Sequence, residues 1–156
     1  MDMREYARRA EREKASLYRT AVLFLKSPSA AEEALDEAIY RGLRSCRSLR
    51  DPGAFRTWLT RILQRVCLDE LRRKKRVETV ESPPEMAWET PDTLPLRQAV
   101  DRLPKELREV VLLHYFAGYT LAETAEILEI PPGTAATRQR RALQLLRREM
   151  GEEDSE

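Results

Sequence analysis

One segment limits what this chain can fold into. Val77 to Pro95 holds four prolines (Pro83, Pro84, Pro91 and Pro95), five acidic residues and no basic one. Proline lacks the amide donor that a helix interior needs and biases the residue before it toward extended backbone. Such a run reads as a linker. On either side of it apolar residues recur at helical spacing, and strand-like alternation is nearly absent. The expectation is an all-α protein with two small helical domains, residues 1–76 and 97–150, joined by an acidic, Pro-containing linker at 77–96 and followed by an acidic tail at 151–156. Each half of a 156-residue chain is small, but helical domains of that size can close a core.

Before the linker, the pattern predicts a helix from Tyr6 to Lys26 with Leu17, Ala21, Phe24 and Leu25 inward, ending at Ser27-Pro28. A second helix follows, with Ser29 and Glu32 as its capping box and Ala34, Leu35, Ala38, Ile39 and Leu43 as its apolar stripe. Arg44 to Arg50 reads as polar loop. Asp51 as N-cap and Pro52 at the first position open a third helix, on which Phe55, Leu59, Ile62 and Val66 share a face. It ends in the basic run Arg72 to Arg76.

After the linker, Arg97 to Leu103 and Lys105 to Ala117 read as helices separated by Pro104, the second with Val110, Val111, Leu113 and Tyr115 available for burial. Gly118 supplies a turn, and Thr120 with Glu123 forms a capping box for a short helix presenting Leu121, Ala125 and Leu128. A tight turn leads to a last helix from about Pro132 to Met150, with Ala135, Ala142 and Leu146 inward. A short capped helix, a turn and a longer basic helix make the helix-turn-helix pattern. An αα-hairpin inside any small bundle has the same outline.

Charge separates the blocks. Residues 1–76 carry +8 and the linker −5; residues 97–150 carry +2 and the tail −4. Folded parts that meet a polyanion, with a linker and tail that avoid it, fit that alternation; solvated helix faces fit it too. Cys46 and Cys67 are isolated and read as reduced thiols, His114 is the lone histidine, and neither a metal-ligand spacing nor a phosphate loop is present. The expectation is a protein that is not an enzyme and has no cofactor or metal. No apolar run approaches the roughly 20 residues that span a bilayer, and the charged start lacks a signal-peptide core, so a cytoplasmic location is expected.

The third helix reads Ala54-Phe55-Arg56-Thr57-Trp58-Leu59-Thr60-Arg61-Ile62-Leu63, then Leu68-Asp69-Glu70-Leu71-Arg72-Arg73. This resembles region 2 of the extracytoplasmic-function (ECF) sigma factors of the sigma-70 family. Leu103-Pro104, Arg108 to Leu113, Gly118 to Leu128, Gly133-Thr134, Arg138 and Arg141-Ala142 resemble region 4 of the same family, in the family's order. The resemblance implies a transcription initiation factor that binds core RNA polymerase and directs it to promoter DNA. Region 4 is expected to read a minus-35 duplex, and region 2 to capture a melted minus-10 strand and grip the polymerase. A helix-turn-helix regulator that acts without replacing sigma, or a helical adaptor that binds only proteins, are the competing readings.

Within that resemblance, Thr134, Thr137, Arg138, Arg140 and Arg141 are the candidates for minus-35 DNA, with Arg138 and Arg141 foremost because a guanidinium can span guanine O6 and N7. Thr134, Thr137, Arg138 and Arg141 are expected opposite Ala135, Ala142 and Leu146. Arg56, Trp58, Arg61, Arg65, Arg72 and Arg73 are the minus-10 candidates, an aromatic among guanidinium groups being the usual recipe for single strands. Trp58 fits either the core or a wedge against DNA. The loop Arg44 to Gly53 is expected to pocket an extruded base. Glu33, Asp36 and Glu37 are the polymerase candidates, with Asp36 where the family usually has Gln. An anti-sigma factor is an expected partner. The chain departs from the family at Pro131, Ala135, Ala136 and Gln139 of the recognition helix, and at Glu129, where the family's inter-helix turn usually has glycine.

Overall fold

The computed structural model describes residues 1–76 and 94–151. Most of the expected linker and residues 152–156 of the tail lie outside the described residues. The chain divides into two compact units, and the described residues of both are helical, without a strand.

The first unit packs α1 (Met3–Leu25), α2 (Pro28–Ser45) and α3 (Phe55–Arg76) against one another. Asp2 caps α1 by accepting from the Glu5 amide at 2.8 Å. The cap of α2 is Ser27, which accepts from the Ala30 amide at 3.2 Å and places Pro28 at the first helical position, where a missing N–H costs nothing. The cap therefore lies two residues before the expected Ser29 and is a single bond rather than a box, since the third helical residue is Ala30 and not an acid. The stretch expected as loop is shorter than the sequence suggests: α2 runs to Ser45, and a 3₁₀ turn at Cys46–Ser48 buries Cys46. Asp51 accepts from the Gly53 amide at 3.0 Å and starts a second 3₁₀ turn, Pro52–Ala54, that leads into α3.

The inward face of α2 is mostly alanine: Ala31, Ala34 and Ala38 are buried with Leu35. Small residues let α1 and α3 come close, and the volume is filled from their side by Tyr6, Leu17, Ala21, Phe24, Phe55, Leu59 and Leu63. Leu63 is the buried member of α3 where Ile62 was expected; Ile62 is half-exposed. Tyr6 meets Phe55 edge-on at 5.8 Å between ring centroids and Trp58 at 6.2 Å, so aromatic geometry ties the start of α1 to the start of α3.

The second unit holds α4 (Leu94–Asp101), α5 (Lys105–Val111), α6 (Leu121–Leu128) and α7 (Pro132–Glu149). α4 begins three residues before the expected Arg97. Arg97 is itself almost fully buried, its Nε 3.8 Å from the Asp101 carboxylate and its guanidinium 5.8 Å from the centre of the Phe116 ring. α5 does not continue as an α-helix to Ala117. Leu112–Phe116 widens into a π turn, in which the Ala117 amide bonds the Leu112 carbonyl at 2.9 Å. The extra residue in that turn shifts the register: Leu112 and Leu113 stay buried, while Tyr115, expected inside, is 48% exposed. α6 buries Thr124, Ala125 and Ile127 rather than Leu121 and Leu128, which are half-exposed. On α7 the buried residues are the expected Ala135, Ala142 and Leu146.

Candidate nucleic-acid and polymerase interfaces

The helix-turn-helix is built from α6, a tight turn and α7. Thr120 accepts from the Glu123 amide at 3.1 Å while the Glu123 carboxylate accepts from the Thr120 amide at 2.9 Å, the expected reciprocal box. Glu129 then caps α6 with φ +58° and ψ +45°, the left-handed conformation that explains why glycine suits this position. Pro131 offers α7 no side-chain cap, and Pro132 occupies its first turn. Thr137 turns its hydroxyl back to the Gly133 carbonyl at 3.0 Å, a bond to its own helix that leaves the free amides of the first turn without a side-chain cap.

Thr137, Arg140 and Arg141 are exposed on α7, and Thr134 is half-exposed. Arg138 sits differently from expectation. Three residues on from Ala135 and four before Ala142, it flanks the buried stripe instead of opposing it. Its side chain is only 25% exposed and its guanidinium lies 3.8 Å from the Glu106 carboxylate of α5. On the other flank, the Gln139 side-chain amide donates to the Tyr115 hydroxyl at 2.7 Å. The recognition helix is thus held along both edges, by an ion pair to α5 and a hydrogen bond to the π turn. Gln139, a departure from the family, has this local task, which sequence alone did not suggest.

On α3, the six minus-10 candidates divide by direction. Arg56 reaches α1, donating to the Ser16 hydroxyl at 3.2 Å with the Glu13 carboxylate 3.7 Å away. Arg73 pairs with Glu70 at 2.7 Å on the side toward α2. Trp58, Arg61, Arg65 and Arg72 fall at i, i+3, i+7 and i+14, one stripe about 21 Å long. Trp58 and Arg61 are half-exposed; Arg65 and Arg72 are exposed. Trp58 has both characters at once, packed on Phe55 at 5.9 Å and Tyr6 while keeping part of its ring in solvent.

Glu33, Asp36 and Glu37 are exposed on α2. Glu33 and Glu37 line a groove between α2 and α3, together with Arg41, Asp69, Glu70 and Arg73. Glu37 accepts from Arg41 at 2.9 Å, and Arg41 lies 4.0 Å from Asp69. The hydrogen bond from Arg73 holds the Glu70 carboxyl below its ordinary value. Asp36 is not part of the groove lining. Arg41, Asp69 and Glu70 belong to this surface and were missed in the sequence, because they come together only when α2 and α3 pack.

Cys46 and Cys67 are buried free thiols, and burial pushes Cys67 up to about 12, which leaves it protonated and inert. Among the described residues no cluster of His, Cys, Asp and Glu is placed to hold a metal ion, and no helix is long and apolar enough to cross a membrane.

Comparison with known proteins agrees with this anatomy. Residues 10–77 match the model for Sigma-70 region 2, and residues 93–146 match that for Sigma-70, region 4. The RNA polymerase sigma factor SigV of Bacillus subtilis is 31% identical over 146 residues, covering 90% of this chain and 88% of that protein. The ECF RNA polymerase sigma factor SigM of Mycobacterium tuberculosis is 33% identical over 140 residues, covering 86% and 71%. Among solved structures, the sigma factor RpoE of Bartonella quintana, crystallised with the anti-sigma factor NepR, superposes with a TM-score of 0.76 at 18% identity, covering 94% of this chain and 97% of that one. CnrH, solved in complex with the cytosolic domain of CnrY, gives 0.72 at 20% identity, covering 96% and 90%. With both region models in order along the chain and relatives that match most of its length, this protein belongs to the ECF group of the sigma-70 family, the sigma factors that bind RNA polymerase and give it promoter recognition.

Proposed function

We propose that the unit of residues 1–76 is the region that captures the unpaired minus-10 strand and grips core RNA polymerase, and that the unit of residues 97–150 reads the minus-35 duplex. The observation that carries this reading is the stripe on α3. One half-buried indole beside Arg61, Arg65 and Arg72 on a single helix face offers a stacking surface for unstacked bases and guanidinium groups for their phosphates. The loop before α3, residues 44–53, then holds an extruded base. Glu33, Asp36 and Glu37 of α2 face the polymerase, with the groove toward Asp69 and Glu70 extending that surface. On α7, Arg141 and Thr137 approach the bases, Thr134 and Arg140 hold the helix to the backbone, and Arg138 must exchange Glu106 for DNA if it reads a base.

The same reading gives the protein an anti-sigma partner and a place in the cytoplasm beside the polymerase. RpoE and CnrH, which share the fold, were each solved with a partner protein, NepR as an anti-sigma factor in the first case. The test is a pair of single variants in the full chain. Glu37→Lys is expected to lower affinity for core polymerase at least tenfold with the fold intact, and Arg141→Ala to weaken the cognate minus-35 duplex more than scrambled DNA. Unchanged affinity in the first, or equal losses on both duplexes in the second, removes that assignment.

A further inference from the structure

A cationic stripe lies on α1, outside the DNA and polymerase candidates of α2, α3 and α7. Arg4, Arg8, Arg12 and Arg19 fall at i, i+4, i+8 and i+15, a single stripe about 22 Å long on the outward face, and all four are exposed. Arg8 shares Glu5 with Arg9, whereas Arg4, Arg12 and Arg19 pair with no acid among the described residues. Acidic residues on this helix are spent elsewhere: Glu5 on Arg8 and Arg9, Glu11 on Lys14 and Glu13 on Arg56.

Two contacts join this helix to the neighbourhood of the proposed base pocket. Arg9 donates to the Pro52 carbonyl at 3.2 Å, in the turn that precedes α3. Arg56, at the start of α3, donates to Ser16 of α1. The stretch of α1 from Arg9 to Ser16 is therefore a wall of the region where the loop 44–53 would hold an extruded base.

We propose that the outer arginine stripe of α1 is a second nucleic-acid surface, which binds the phosphates of the single-stranded promoter DNA adjoining that base. The occupant follows from charge and spacing. Four exposed guanidinium groups, three of them without an internal acid, match a flexible polyanion. The contacts are to phosphate and add affinity without sequence preference. This inference rests on the reading of region 2 as the single-strand-binding unit.

The experiment uses the full chain assembled with core polymerase and a promoter fragment carrying a mismatched, premelted minus-10 bubble, titrated from 50 to 200 mM salt. Two variants are compared with the wild type: Arg4→Gln/Arg12→Gln/Arg19→Gln on α1 and Arg61→Gln/Arg65→Gln on α3. Loss of three phosphate contacts to a single strand flattens the log–log salt dependence by about 2, so the α1 variant is expected to bind more weakly at 50 mM and with that shallower slope, while its affinity for core polymerase is unchanged. A slope equal to wild type overturns the inference. If the α3 variant loses bubble binding and the α1 variant does not, only the α1 surface fails; if neither loses it, the region 2 reading fails with it. An equal loss on a fully paired fragment lacking the bubble also overturns the assignment to a single strand. So does weakened binding of an acidic protein partner with no change on DNA, which would make the stripe a protein surface.

Discussion

The Tyr6 hydroxyl occupies the space where Gly42 would carry a side chain. It donates to the Ile39 carbonyl at 2.6 Å, and a Cβ added at Gly42 would run into that oxygen and come within 3.0 Å of Leu59 Cδ1. Three helices meet at this point, and the ring cannot swing aside because it is 1% exposed and wedged against Phe55 and Trp58. Burial also raises its phenol to about 12, so it remains a donor at any ordinary pH.

Gly42→Ala should therefore destabilise the region 2 unit by about 1–3 kcal/mol, the usual range for overpacking. Tyr6→Phe alone should cost about 0.5–1.5 kcal/mol for the lost hydrogen bond. The two should not add, since removing the hydroxyl removes most of the clash. Denaturant unfolding followed by Trp58 fluorescence in a Trp88→Phe background measures this unit separately. Strict additivity would show that Gly42 is not there to admit Tyr6.

Gln64 is a second consequence of this packing. It is 3% exposed on α3, and neither its amide nitrogen nor its carbonyl oxygen has a hydrogen-bond partner. An unsatisfied buried polar group costs about 1–3 kcal/mol, so Gln64→Met, of similar volume, should leave the unit as stable as the wild type or more so. A clear drop in the unfolding midpoint would mean that an ordered water satisfies the amide.

Glu129 holds a left-handed conformation that costs a side-chain-bearing residue roughly 1–2 kcal/mol. Glu129→Gly should slow amide exchange in α6 and α7 and stabilise the helix-turn-helix by about 1 kcal/mol. Faster exchange would mean that the carboxylate's own contacts outweigh the backbone relief.

Glu109 makes the second unit sensitive to pH. Desolvation raises its carboxyl above the ordinary 4.5, opposed by the nearby positive charges of Lys105, Arg108 and Arg138. A carboxyl with a raised folded-state pKa binds its proton more tightly in the folded state. Its contribution is complete below about 4.5 and is lost as pH rises through the folded value. Glu109→Gln should accordingly stabilise α5 and α7 at pH 7, measured by hydrogen exchange, and the difference from wild type should vanish below pH 4. A variant less stable than wild type at pH 7 would show that the three cations hold the charge more strongly than burial opposes it.

The order of the helices was legible in the sequence: amphipathic periodicity over 15 or more residues marks α1, α2, α3 and α7, and Pro104, Gly118 and the Thr120/Glu123 box divide the shorter ones between them. Local detail was not. Ser27 and Ser29 both precede acceptable first turns, and Pro28 decides between them only once the chain direction out of Lys26, at φ +57°, is known. Tyr115 was placed inside because an uninterrupted α-helix would put it there; the π turn at Leu112–Phe116 carries no marker in sequence. Arg138 was assigned to the groove face with Thr134, Thr137 and Arg141, opposite Ala135, Ala142 and Leu146. The helix angle puts it instead at the edge of the buried stripe, where Glu106 of α5 makes that position tolerable. Arg97 is the stronger case, an arginine 4% exposed beside Asp101 and Phe116, which composition marks only as positive charge. Surfaces assembled from two helices, such as the groove that joins Glu33 and Glu37 to Asp69 and Glu70, have no linear signature.

Transcription by core RNA polymerase, with and without the purified chain, on fragmented genomic DNA followed by mapping of the 5′ ends tests the central assignment most directly. The account predicts discrete start sites that appear only with the chain, each preceded by the same pair of short sequence blocks at constant spacing, and lost with Glu37→Lys. Start sites identical to those of core polymerase alone, or none at all while the chain is bound to the enzyme, would contradict it.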